Sequence, residues 1–475
     1  MIKNSYEIIQ LMPYMIVAAG IFISLCIELL SKRSREVLPY ITVLSFASSA
    51  IYSILTINES NVVFGGMLQI GGKTALFNFI FTVGASVSVI SSINYLKKFG
   101  AYFGEYYILV QSSVLGMMIM GGAKDLLMIF MGLELMSICF YTLVGINRKK
   151  STSNEASMKY FLLGSFATGF IVYGIALIYG MAGTTKIDII ISQFEKLITL
   201  PLFITGMILL FIGFSFKIAA FPFHMWAPDV YQGAGTPLTG LMSTTGKTAA
   251  FSVLIILMSA VFMGAPNKFM PYFAAIAALS TLYGSITAIA QNNLKRMLAY
   301  SSISHAGYMA IGLAAGNELG KAGIIFYLAV YTFINIGAFT IISIIEGEDD
   351  QHTDLDSYAG LHTNSPLLAG FMALFMFALA GIPPMAGFFG KYYVFLGAIK
   401  ADLTWLALVG ILSSVISVYF YLRVTVYMYF KSAIKPVPVE KNNPALFAVI
   451  LCGLLTLAFG FFPDTLLNLI IAFLN

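Results

Sequence analysis

Apolar runs of about twenty residues, the length that crosses a bilayer as a helix, recur from one end of the chain to the other. Fourteen can be placed, near 11–30, 38–57, 75–93, 106–121, 126–146, 158–180, 201–221, 238–262, 270–290, 301–317, 323–346, 366–399, 403–428 and 445–473. The predicted fold is therefore all-α: a polytopic membrane protein of about 14 transmembrane helices forming a single integral membrane domain. The first run has no small-residue cleavage site and is followed at once by another span, so it reads as a retained helix. Two polar pieces interrupt the series. Residues 186–198 fit a short amphipathic surface helix, and residues 346–356 form an acidic loop on the inner side.

Composition agrees with the pattern. Of 475 residues, 59% are hydrophobic and 10% charged, against roughly 25% charged in an ordinary soluble domain. The mean hydropathy of +0.89 describes more apolar surface than one core can hide, so the outside faces lipid. The 26 basic and 21 acidic residues give a net charge of +5. The basic residues are scattered, which argues against nucleic acid as a partner. Cys26, Cys139 and Cys452 lie in apolar runs without metal or redox spacing and read as small core residues.

Basic residues in loops stay on the cytoplasmic side. One set of alternate loops carries thirteen, including Lys32, Arg33, Arg35, Lys149, Lys295, Arg296, Lys435 and Lys441. The opposite set holds eight, including Lys3, Lys73, Lys124 and Lys321. Both termini are then expected on the outer side.

The five remaining basic residues, Lys159, Lys217, Lys247, Lys391 and Arg423, lie within apolar runs, as does Glu134. A charge at mid-membrane costs roughly 2.5–3.5 kcal/mol on insertion scales, so such residues usually face a bundle interior and mark an ion or proton path. Lys217 stands five residues before Pro222, and Lys391 follows Gly381, Pro383, Pro384 and Gly387. Both runs are expected to break, and broken helices at membrane depth are tolerated where they line a hydrated cavity. The hydroxyls of Thr244, Thr245 and Thr248 are placed to hold water beside Lys247. A buried lysine can take up and release a proton as its surroundings change, whereas arginine holds its proton too firmly to cycle. Lys159 fits either this role or snorkelling to the interface, and Arg423 reads as a snorkelling residue. His224 and His305 read first as satisfied core residues, although His305 also suits a relay among the serines of SSISHAGYM.

Spans four to eight and nine to thirteen form two units in which the broken helix with a central lysine is the fourth member. Each unit has an odd number of spans, so the second is inserted upside down relative to the first. The boundaries are 1–104 for the N-terminal helices, 105–262 and 270–428 for the two inverted five-helix repeats, and 445–473 for the C-terminal helix.

At these motifs the chain resembles the antiporter-like, proton-translocating subunits of bacterial respiratory complex I, the NADH-quinone oxidoreductase. The stretches that carry the likeness are KDLLMIFMGLELMSICFYTLVG, SNEASMKYFLLGSFATGFIVYGIALIYG, GFSFKIAAFPFHMWAPDVYQGAGTP, NNLKRMLAYSSISHAGYM and GIPPMAGFFGKYYVF, within residues 105–400. The resemblance implies a fourteen-helix subunit with discontinuous helices 7 and 12 that contributes one proton channel to a redox-driven pump. It also implies Glu134 as the fifth-helix glutamate, Lys217 as its seventh-helix partner, Lys247 as the connecting lysine, Lys391 as the exit, and Lys159 as a sixth-helix lysine kept in one branch of the family. The implied setting is a bacterial inner membrane, with other membrane subunits, homologous antiporter-like ones included, as partners alongside lipid and protons. No cofactor is expected in this chain; FMN, iron–sulfur clusters and quinone belong to the parent complex. The rival readings are a subunit of a multi-subunit cation/proton antiporter, and a redox protein that holds quinone or haem directly.

Overall fold

The computed structural model describes residues 5–474 apart from 32, 101, 265, 348–350, 433–436, 438, 440 and 441. Lys3, Lys32, Lys435 and Lys441, counted above for orientation, and part of the acidic loop lie outside the described residues. The chain begins with α1 (Ser5–Leu30) and α2 (Ser34–Leu55). A hairpin of β1 (Ser60–Val63) and β2 (Leu68–Gly71) leads into α3 (Gly72–Lys98). Next come α4 (Glu105–Gly122), α5 (Leu126–Val144), α6 (Ser151–Ala182), the short α7 (Ile187–Ser192) and α8 (Phe194–Leu197), then α9 (Pro201–Lys217) and α10 (Trp226–Gly233). A helix in three parts follows: α11 (Thr236–Leu241), a π-helical turn over Met242–Gly246, and α12 (Lys247–Gly264). Beyond it lie α13 (Pro266–Ile289), α14 (Leu294–Ala315), α15 (Glu318–Ile345), the single turn α16 (Leu361–Asn364), α17 (Pro366–Ala380), α18 (Ala386–Lys400), α19 (Thr404–Phe430), α20 (Asn443–Phe461) and α21 (Pro463–Leu474).

Each predicted span falls on one helix or on consecutive helical pieces, and both expected breaks are present. Ten of the described helices are long and apolar enough to cross a membrane alone, and α9, α17 and part of α21 are shorter apolar helices. Several boundaries differ from the sequence reading, among them the start of α14 at Leu294 rather than near 301. The run at 445–473 divides at Pro463, which cannot continue the hydrogen bonding of α20. The hairpin was not anticipated; its turn takes Gly65 and Gly66 into positive φ, a region that glycine enters without steric cost. Residues 186–198 form two short helices, with Ile187, Ile190, Phe194 and Leu197 buried on one side.

Close approach between helices comes from paired glycines, the usual device where lipid removes the hydrophobic drive for association. A Cβ at Gly116 of α4 would stand 2.6 Å from the Gly132 carbonyl of α5, and one at Gly174 of α6 would stand 2.7 Å from the Gly206 carbonyl of α9. Outward positions are large and apolar: Phe166 on α6 is 75% exposed and Val415 on α19 is 65% exposed. At the centre, the 18-residue window that marks α15 as a span is fully buried.

Candidate functional site

The predicted site residues fall along the bundle interior. Glu134, Ser137 and Tyr141 recur at i, i+3 and i+7 on α5 and therefore share one helix face. Lys217, the last residue of α9, donates to Ser137 Oγ at 2.9 Å and Tyr141 Oη at 3.3 Å. The sequence made Glu134 its partner, but no direct ion pair joins them among the described residues: Glu134 accepts from Thr168 of α6 at 2.8 Å. The carboxylate bears on Lys217 by its charge and not by a direct contact. The break after α9 leaves carbonyls without helical donors, and the Trp226 indole donates to that of Phe216 at 3.0 Å.

Lys247 follows the π-helical turn, an irregularity that often marks functional sites. Its Nζ donates to the Ser302 carbonyl at 2.7 Å and to Ser302 Oγ at 2.6 Å. The threonines expected beside it each donate to their own helix. Thr244, Thr245 and Thr248 bond to the carbonyls of Gly240, Leu241 and Thr244, one turn back on their own helix. That is the local competition typical of helical threonine; Ser302 of α14 supplies the contact instead.

Lys391 lies on α18 and reaches back to the open end of α17. It donates to the carbonyls of Leu379 at 3.0 Å and Ala380 at 2.9 Å and to Ser414 Oγ at 2.8 Å, while the Tyr308 ring lies 5.0 Å away. The negative end of a helix dipole matches the ammonium.

Between Lys247 and Lys391 runs the polar face of α14. His305 joins Tyr327 Oη through Nδ1 at 2.6 Å and Tyr421 Oη through Nε2 at 2.9 Å, and Tyr421 also bonds Ser301. Beside them, Ser304, Ser285, Ser413 and Tyr308 form a hydroxyl chain with contacts of 2.9–3.2 Å. Ser413 adjoins Ser414, which holds Lys391. Sequence reading found His305 and the serines beside it on α14 but missed Ser285, Ser413 and the tyrosines, whose residue types alone carry no such signal.

The other candidates stand apart from this row. His224 sits in the first break, its ring 5.4 Å from that of Phe221 and 4.5 Å from that of Tyr283, with Nδ1 bonded to none of the described residues. Lys159 is half-exposed and pairs with Glu155 at 2.7 Å and Asp229 at 2.8 Å. Asp229 also takes Arg296 at 2.7 Å. Burial alone raises the Asp229 carboxyl, but the hydrogen bonds from Lys159 and Arg296 outweigh it and hold the group below its ordinary value. Arg423 donates to the carbonyls of Ile289 and Gln291 and so caps α13.

One buried pair was read as two loop charges. Asn293 caps α14, its side chain accepting from the Arg296 amide at 3.1 Å, so the helix starts before Lys295. Lys295 pairs with Glu346 at 3.3 Å, and both side chains are fully buried. An asparagine just before an apolar run is a helix-start signal that would have placed Lys295 inside.

The family model described as "NADH:quinone oxidoreductase/Mrp antiporter, TM" matches residues 123–417, which include every site residue named above except Tyr421 and Arg423. The chain belongs to this family. A relative in Chloroherpeton thalassium, NADH-quinone oxidoreductase subunit N 1, is 43% identical over 97% of each chain. A chain of respiratory complex I from Thermus thermophilus is 31% identical, with a TM-score of 0.83 over 96% of this chain and 98% of that one. A chain of the Mrp complex from Dietzia sp. DQ12-45-1b shares the fold at 18% identity, with a TM-score of 0.85 over 98% of this chain and 97% of that one.

Proposed function

We propose that this chain is a proton-translocating membrane subunit of a complex I-type NADH:quinone oxidoreductase, coupling electron transfer in other subunits to proton pumping and carrying no redox centre itself. The observation that supports it most is the row of buried lysines, Lys217, Lys247 and Lys391, spaced along hydroxyl and imidazole groups. Lysine at such depth is costly unless it serves an ion path.

In this reading protons enter from the cytoplasmic side, load onto Lys217 or Lys247, cross by the hydroxyls and His305 on α14, and leave by Lys391. Glu134 sets the proton affinity of Lys217 electrostatically, so a rearrangement in a neighbouring subunit switches loading to release. Lys159 joins the Asp229 and Arg296 cluster near the entry, and His224 lies beside the first break as a secondary candidate. Residues 105–262 and 270–428 act as inverted halves, flanked by helices in 1–104 and 445–473. The chain sits in a bacterial inner membrane with both termini outside, beside homologous antiporter-like subunits.

A cation/proton antiporter subunit is the other reading. Relatives named as subunit N across nearly the whole chain favour the first. The test is Lys217→Ala in vesicles containing the intact complex: quinone-linked pumping is expected to disappear with assembly retained. An assembled variant that pumps at the normal proton-to-electron ratio overturns the reading.

A further inference from the structure

The Lys295–Glu346 pair is both fully buried and close to the lysine row. Lys295 Nζ also donates to the Ala234 carbonyl at 3.0 Å, and the Thr236 hydroxyl bonds Glu346. Ala234 and Thr236 flank the junction between α10 and α11, the helix that runs through the π turn to Lys247. The pair therefore grips the polypeptide segment that leads to Lys247.

The same pair aligns with the acceptor of Lys247. Lys295 and Ser302 lie seven residues apart on α14, on one face and separated by two turns, about 10 Å. Polar groups gather at the Ser302 end, and α10, whose Tyr231 is among them, leads directly to the Ala234 carbonyl that Lys295 holds. Tyr231 of α10 has a buried hydroxyl close to Ser302, bonded to none of the described residues. An unsatisfied buried hydroxyl in a native interior calls for an explanation. Asn335 of α15 donates to Ser243 of the π turn at 2.8 Å and to Tyr331 Oη at 3.1 Å.

We propose that Lys295 and Glu346 form a proton-carrying station that passes protons to Lys247 through the Tyr231 and Ser302 hydroxyls. This rests on the proton-translocation reading above and adds an entry point to it. The chemistry balances without any co-reactant. One Nζ–H bond of Lys295 breaks as an O–H bond forms on Glu346, giving a neutral amine beside a neutral acid; the reverse transfer restores the ion pair. The net charge of the pair is zero in both states, so the buried site hosts the exchange without gaining a charge. A proton arriving on Glu346 from the basic-loop side leaves a positive site, which discharges toward Ser302 and Lys247.

The discriminating variant is Lys295→Arg, which keeps the ion pair and the hydrogen bond to Ala234 but cannot release its proton. Vesicles containing the whole complex are assayed for assembly, electron transfer and protons moved per electron. With the complex assembled, proton movement is expected to fall at least about tenfold, because arginine stays charged. Normal pumping by Lys295→Arg overturns the station and leaves the pair a structural clasp. Should that variant fail to assemble, Lys295→Met with Glu346→Met decides, since apolar side chains of similar volume usually replace a buried pair without loss of fold. A clasp predicts normal pumping by that double variant, and a station predicts its loss. Lys247→Ala serves as the reference in the same vesicles: if it too pumps normally, the broader reading fails rather than the station.

Discussion

The two broken helices solve the same problem with different groups. Each leaves carbonyls short of α-helical donors at the end of its first half, α9 or α17, although the Phe216 carbonyl also takes the Ala219 amide at 2.9 Å. In the first, the neutral Trp226 indole takes the Phe216 carbonyl, and Lys217 holds only side chains, Ser137 and Tyr141. In the second, Lys391 itself takes the carbonyls of Leu379 and Ala380. A carboxylate, Glu134, bears on the first lysine through space, while fixed backbone dipoles grip the second. The two breaks are therefore alike in plan and unequal in the groups that hold their lysines. The first lysine is held by side chains, and the second chiefly by the backbone itself.

The sharpest way to break this contrast is Lys391→Ala. It removes the ammonium and leaves the Leu379 carbonyl without its donor, at about 1–3 kcal/mol, while the Ala380 carbonyl keeps only the long contact from Ser414 at 3.4 Å. Pumping and the amount of assembled complex are both expected to fall, measured by vesicle acidification and native electrophoresis. Equal loss of assembly in Lys217→Ala would erase the distinction between the halves. Glu134→Gln comes next: pumping should slow by roughly three- to tenfold, as expected when a nearby opposite charge is removed, with thermal stability in detergent nearly unchanged. A smaller effect is expected from Ser414→Ala and Ser137→Ala, each deleting one hydrogen bond to a charged group worth about 1.5–3 kcal/mol. Lys391 keeps its two carbonyls, so Ser137→Ala should slow pumping more.

The smallest effect lies outside both breaks. Asp229 is held below its ordinary value, so the stability it contributes is present above its unfolded pKa of about 3.9 and is lost as pH falls through its folded value. Asp229→Asn should lower stability by about 1 kcal/mol or less at neutral pH, as for a partly exposed pair. The difference from wild type should vanish on acidification through the carboxylate range, followed by melting in detergent.

Much of this was legible because lipid imposes simple rules. Lys217, Lys247, Lys391 and Glu134 stood out because charge inside an apolar run has few cheap explanations, and Pro222 and Pro384 announced the breaks. Side-chain pairing was harder. Glu134 was given Lys217 as a direct partner, whereas Thr168 of α6 holds it; nothing in the spacing along α5 distinguishes a neighbour from one helix further on. Tyr327 and Tyr421 were invisible for a related reason. They come from α15 and α19 and meet His305 only because α14 passes between those helices. Lys295 was misplaced by a boundary of a few residues, since periodicity locates helix middles better than helix ends.

The full enclosure of α15 has a consequence for how the protein is made. Within the finished bundle that helix has little lipid to face along its apolar window, yet the window keeps a mean hydropathy of 2.0, equal to that of the exposed α19. Solvation by lipid in the mature state does not explain such a composition. Membrane entry does: a helix emerging during synthesis must partition into the bilayer on its own merits before α17, α18 and α20 exist to surround it. Polar substitutions on its outer turns should then lower yield through failed insertion, even at positions where the folded protein has a hydrogen-bond partner to offer.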